Sequence, residues 1–161
     1  MSVPLFSKLL VAVTGSQASI DAAKCAIVMA KQYDCSLAAT YVVDTATIRQ
    51  LAMSKIFVSD ESEEFEDSLQ ANGERYLDYV EELAEKRGVQ IDKFLRKGAV
   101  CTEILTLARE LDIDLILLGG WENDRNPRDI ISQSHREVLV NSTCSVYIVK
   151  EPDIDQLYNQ A

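Results

Sequence analysis

Asp114-Leu-Ile-Leu-Leu-Gly-Gly120, a polar loop, a helix-like stretch from Pro127 to Val140, and Ser145-Val-Tyr-Ile-Val149 decide the fold. The two apolar runs show no polar alternation, so each reads as a buried strand. A strand, a loop that begins with glycine, a helix and a second strand form the unit that α/β proteins use to hold phosphates. Here the loop carries Glu122 and Asp124, where a phosphate cradle wants small, neutral residues. The stretch therefore reads as a nucleotide-binding architecture whose site has been altered.

Toward the amino terminus, Lys8-Leu-Leu-Val-Ala-Val13 is another continuous apolar run, ending at Thr14-Gly-Ser16, and it suits a central strand. Ser16 is a good helix cap, and Ala23, Ala26, Ile27 and Ala30 recur at i, i+3, i+4 and i+7, which predicts a helix to about Tyr33. Residues 36–43 form the second strand, ending at Asp44. Residues 44–59 show no clear period and read as a surface excursion with a helical turn around Ile48 to Lys55. Asp60 with Glu63 resembles a capping box for a helix that runs to Arg87, with Phe65, Leu69, Tyr76, Val80 and Leu83 on one face. Gly88 ends it. The acids Asp60, Glu61, Glu63, Glu64, Glu66 and Asp67 read as a solvated first turn that complements the helix dipole, in preference to a cation site.

Val89 to Leu95 suits a half-exposed edge strand, and Ile104, Leu107, Ala108 and Leu111 mark a third helix. Asn126 and Pro127 suit the cap and first turn of the last. Residues 151–161 read as a loose polar tail. Five strands alternating with four helices predict one α/β domain over residues 1–150, an open parallel sheet with helices on both faces. In such sheets ligands bind at the carboxyl ends of the strands, where the winding reverses. If the first strand is central, the turns after Val13 and Leu118 both open onto that crevice.

The 161 residues suit a single self-sufficient core. A formal charge of −10 and a pI near 4.5 argue against nucleic acid and anionic membranes as partners, since both need a basic face. No apolar run approaches membrane-spanning length and no leader is evident, which predicts a cytoplasmic protein. Cys25, Cys35, Cys101 and Cys144 lack any CxxC pair and there is a single histidine, so the cysteines read as small apolar residues in a reducing compartment and no metal site is expected.

Taken in order, these segments resemble the universal stress protein family. The resemblance rests on Leu9-Leu-Val-Ala-Val-Thr-Gly-Ser16 with Ala22-Ala23, on Tyr41-Val-Val-Asp44, and on Gly98 with Thr102-Glu-Ile-Leu105. Asp112-Ile-Asp-Leu-Ile-Leu-Leu-Gly119, Arg136-Glu-Val-Leu139 and Cys144-Ser-Val-Tyr-Ile-Val149 complete it, so that it spans roughly residues 7 to 150. It implies strand order 3-2-1-4-5 and a homodimer formed by pairing the last strand, 145–149, with its mate.

The family contains members that bind ATP through a loop patterned G-x2-G-x9-G-[S/T] and members that do not. Laid on this chain from Gly119, the second glycine falls on Glu122, the third on Ser132 and the Ser/Thr on Gln133. The aspartate that usually ends the first strand is Thr14, after Ala12 and Val13; Val42 and Leu118 keep the apolar character of the base pocket. Ser134 and His135 follow at positions that face phosphates in nucleotide-binding relatives. Glycines let backbone N–H groups approach phosphate oxygens. Glu122 instead adds a side chain and a charge, and two unit charges about 4 Å apart repel by roughly 1 kcal/mol in water, or about 4 at an effective dielectric near 20. Arg125 and Arg128 could offset part of that by turning toward the ligand.

Trp121 could stack on a ligand or simply pack, and His135 has no partner pattern for a catalytic base. Ser16 reads as a cap, because the G-x-S-x-G elbow of a nucleophile is missing. The sequence thus predicts a non-enzymatic stress-response homodimer that holds no cofactor tightly and acts through an unknown protein partner. The alternative is a regulatory switch that holds ATP or AMP in a non-standard loop. An α-hydrolase of the related adenine-nucleotide superfold would need a phosphate motif after the first strand, and Thr14-Gly-Ser-Gln17 is too poor in glycine to supply one.

Overall fold

The computed structural model describes residues 3–54, 59–120 and 133–161. Strands β1 (Lys8–Val13), β2 (Ser36–Asp44), β3 (Ile91–Gly98), β4 (Leu115–Gly119) and β5 (Ser145–Val149) form one parallel sheet in the predicted order β3-β2-β1-β4-β5. The central runs are apolar on both faces because helices cover both. Leu9, Val11 and Val13 of β1 pack with α1 (Gln17–Tyr33) and α3 (Ser59–Glu85). Leu10 and Ala12 pack with α4 (Val100–Glu110) and α5 (Gln133–Asn141). Each fully buried Leu contributes about 1.5–3 kcal/mol of transfer free energy, so two such layers on one sheet supply most of the driving force.

Local signals set most element ends as predicted. The Ser16 hydroxyl accepts from the Ser19 N–H at 3.1 Å and caps α1. Gly88, at φ 75°, closes α3 in a Schellman motif: its N–H donates to Glu85 O, and the Val89 N–H reaches Ala84 O. That closure consumes Val89, so β3 starts at Ile91 and runs on to Gly98, later than the alternation suggested.

Three expectations are corrected. The excursion after β2 is a helix, α2 (Thr45–Met53); the Asp44 carboxylate caps it by accepting from the Thr47 N–H at 3.0 Å, and Ile48 is buried. Residues 59 and 60 are already helical, so Asp60 does not begin α3 as a cap. The segment read as a loose tail forms α6 (Ile154–Gln160), with Ile154 and Tyr158 buried against α1 and α3. The Tyr158 hydroxyl donates to Leu83 O at 2.6 Å, and Lys24 and Arg87 lie over its ring at 5.6 and 4.8 Å. Asn126 and Pro127, read as the start of the last helix, lie outside the described residues. Among the described residues no helix is long and apolar enough to cross a membrane.

Candidate functional site

The winding reverses between β1 and β4, so the crevice at their carboxyl ends is where this fold offers a ligand site. The turn after β1 is knitted by hydroxyls. Thr14 Oγ1 lies 2.9 Å from Ser16 Oγ and accepts from the Ser16 N–H at 3.1 Å. Buried Ser19, which the sequence reading passed over, accepts from the Thr14 N–H at 2.9 Å, and its own hydroxyl has Thr14 O and Ser16 O within 2.9 Å. A serine on the buried side of an otherwise Ala/Ile-lined helix was the available signal. The effect is to spend the polar groups of this turn on one another. Thr14, in place of a carboxylate, brings no charge to the crevice.

Gly119 ends β4 directly against the first turn of α1. A Cβ there would lie 2.6 Å from the Ala18 carbonyl carbon, 2.7 Å from its oxygen and 2.8 Å from the Ser19 nitrogen. Main chain against main chain leaves no flexible group to yield, so this glycine is demanded by packing whatever the loop binds. Gly120 follows, its N–H donating to Val149 O at 3.1 Å, and a Cβ on it would lie 2.8 Å from that same oxygen. Both glycines therefore have structural work independent of any phosphate.

The candidate nucleotide-site residues of the strands divide between the two layers. Ala12, Val42 and Leu118 share the α4/α5 face with Val138. Val13 does not join them; its side chain is buried in the opposite layer under α1, because alternate residues of a strand face opposite ways. On α5, Gln133 is exposed and donates to Glu137 of its own helix at 3.4 Å, while Ser134 and His135 are partly buried. Burial lowers the His135 pKa from its ordinary value, which favours the neutral imidazole near neutral pH. Glu122 and Ser132 lie outside the described residues, as do Trp121, Arg125 and Arg128.

At the opposite, amino-terminal end of the sheet, Asp114 ties β4 to β1. Its carboxylate accepts from the Ser7 N–H and Oγ, both at 2.8 Å, and from the Lys8 N–H at 2.9 Å. These bonds, those of Ser7 first, hold its pKa below the ordinary value. Asp114 belongs to the scaffold and not to the crevice.

Sheet order, crevice and altered glycine loop together define an α/β protein of the nucleotide-binding architecture. The chain belongs to the universal stress protein family, whose model matches residues 5–150. A universal stress protein of Methanocaldococcus jannaschii is 30% identical over 148 residues, covering 92% of this chain and 84% of that protein. Among solved structures, the universal stress protein UspA of Lactobacillus plantarum superposes with a TM-score of 0.75 at 21% identity, over 90% of this chain and 98% of that one. Two further universal stress protein structures are complexes: one with cAMP (TM-score 0.65, 18% identity, 89% of this chain and 96% of that one). The other, from Archaeoglobus fulgidus, holds dAMP (TM-score 0.63, 13% identity, 91% of this chain and 100% of that one). At such identities these structures establish the shared fold alone.

Proposed function

We propose that this universal stress protein is a non-enzymatic, cytoplasmic stress-response homodimer that does not hold ATP tightly. The observation that carries the reading is Gly119: the one loop glycine that survives in register is explained by its contact with Ala18 and Ser19, leaving no loop position whose residue calls for a triphosphate. Thr14, bound up with Ser16 and Ser19, offers no carboxylate to a ribose or base. Glu122 adds repulsion where several phosphate charges would sit. Replacing Glu122 and Ser132 together by glycine should raise ATP affinity; no gain would place the obstacle at Thr14 or the base pocket instead.

The dimer reading rests on the contrast between the two sheet edges. The β3 edge carries Lys93, Arg96 and Lys97, held by Asp78 and Glu81, by Glu103 and Glu110, and by Glu66 at 2.8–3.5 Å. Charged side chains blunt an edge against pairing. The β5 edge, Ser145-Val-Tyr-Ile-Val149, carries none. A Val146→Glu chain should run at half the wild-type mass in light scattering; an unchanged, folded dimer would move the interface elsewhere.

A second reading, a switch that holds an adenine nucleotide, is favoured by the relatives crystallised with cAMP and dAMP. Both ligands carry a single phosphate, which asks less of a loop containing Glu122 than a triphosphate does. On this reading AMP binds more tightly than ATP, with Ala12, Val42 and Leu118 against the base.

A further inference from the structure

A second cavity lies on the α1/α3 face of the sheet and borders the crevice at Gly15 and Ser16 of the turn after β1. It has a volume of about 650 Å³ and opens between the first turns of α1, the middle of α3 and the start of α6. Gln17, Asp21, Lys24, Tyr76, Tyr79 and Asp155 line it. The volume falls within the usual range of small-molecule sites. The family match ends at residue 150, so α6, which supplies Asp155, lies beyond the matched segment.

The lining has a definite chemical character. Asp155 holds the Lys24 ammonium at 2.6 Å, and that ammonium also lies over the Tyr158 ring. Burial works against the charge on Lys24, but the hydrogen bond and charge of Asp155, with Tyr79 and Asp21, outweigh it and raise its pKa. Lys24 is thus a fixed, neutralised cation. Asp21, touched at one oxygen by the Gln17 amide at 3.0 Å, keeps acceptor capacity, and with Lys24 and Asp155 paired it leaves one net negative charge among the lining residues. Tyr76 is held by stacking on Tyr41, centroids 6.3 Å apart and planes 9° from parallel, with Gly15 closing against its hydroxyl. Tyr79 is 43% exposed and presents a second ring. Carboxylates beside aromatic faces are what bind an organic cation, the charge on the acid and the hydrocarbon on the ring.

We propose that this cavity is a second ligand site, and that it takes a small organic cation, an amine with an apolar body. The −10 chain concentrates cations near it. The test is a calorimetric titration of the full chain with 2-phenylethylamine and with 2-phenylethanol, its neutral analogue. Saturable binding of the amine, at least about tenfold tighter than the alcohol, is expected, reduced about fivefold or more by Asp21→Asn and by Tyr79→Ala, both surface changes that leave the core intact. Glu64→Gln, on the exposed start of α3, should leave it unchanged. Absence of saturation at millimolar amine, equal affinity for amine and alcohol, indifference to Asp21→Asn and Tyr79→Ala, or an equal loss with Glu64→Gln would each overturn the proposal; the last would show attraction by the general surface charge.

Discussion

Replacing Gly119 by alanine isolates what this glycine does. An added methyl would sit 2.6–2.8 Å from three main-chain atoms of Ala18 and Ser19, where ordinary van der Waals contact begins near 3.4 Å. The overlap is with the first turn of α1, so relief requires the end of β4 and α1 to move apart. That movement would loosen the bonds joining Thr14, Ser16 and Ser19. Overpacking in a well-filled interior costs about 1–3 kcal/mol, and a rigid backbone neighbour puts this case in the upper half, about 2–3 kcal/mol. For a chain of this size that is a fall in Tm of about 4–12 °C. Gly88→Ala provides the internal comparison: it forces alanine to φ 75° with nothing within 4 Å of the new Cβ, and should cost only about 1 kcal/mol. Urea denaturation of the three proteins, without nucleotide, gives both differences. A Gly119→Ala chain within about 0.5 kcal/mol of wild type, or more stable than Gly88→Ala, would refute the packing argument and return this glycine to the phosphate loop.

Two pH-dependent predictions follow from the titrating groups. Because burial lowers the pKa of His135, the unfolded chain takes up a proton first as the pH falls through about 6.5, and stability declines below that value. His135→Gln should flatten the change in denaturation midpoint between pH 7.5 and 5.5; identical profiles would contradict it. Asp114 has the same sign in a more acidic window: its pKa is depressed below 3.8, so its contribution is present above that value and is lost as the pH falls through the folded-state pKa. Asp114→Ala should cost about 1–3 kcal/mol at pH 7 through the lost bonds to Ser7 and Lys8, with the gap closing in strong acid. A gap that persists at pH 2 would show that its charge is irrelevant.

The sheet was legible because β1 and β4 are apolar on both faces, and only burial under two helical layers tolerates such runs. Strand order needed the family resemblance, since no local pattern says which strands are neighbours. The helices α2 and α6 escaped for different reasons. Asp44 was taken as the end of β2 when its carboxylate also starts α2. In α6, Ile154 and Tyr158 stand four apart, but polar neighbours hid a helix only seven residues long whose stability comes from docking against α1 and α3. At the crevice, Val42 and Leu118, read as apolar base-pocket positions, share one face, while of the neighbouring candidates Ala12 joins them and Val13 turns to the other layer by strand alternation. Packing also explains Gly119, and no motif could have shown that, because the residue it meets is a hundred positions away in α1.

The most direct test of the account is a calorimetric titration of nucleotide-stripped protein with ATP and magnesium, and in parallel with AMP. No saturable ATP binding is expected up to millimolar concentration. Micromolar ATP binding would contradict it and show that the altered loop is compensated; AMP binding with ATP silent would establish the single-phosphate switch in its place.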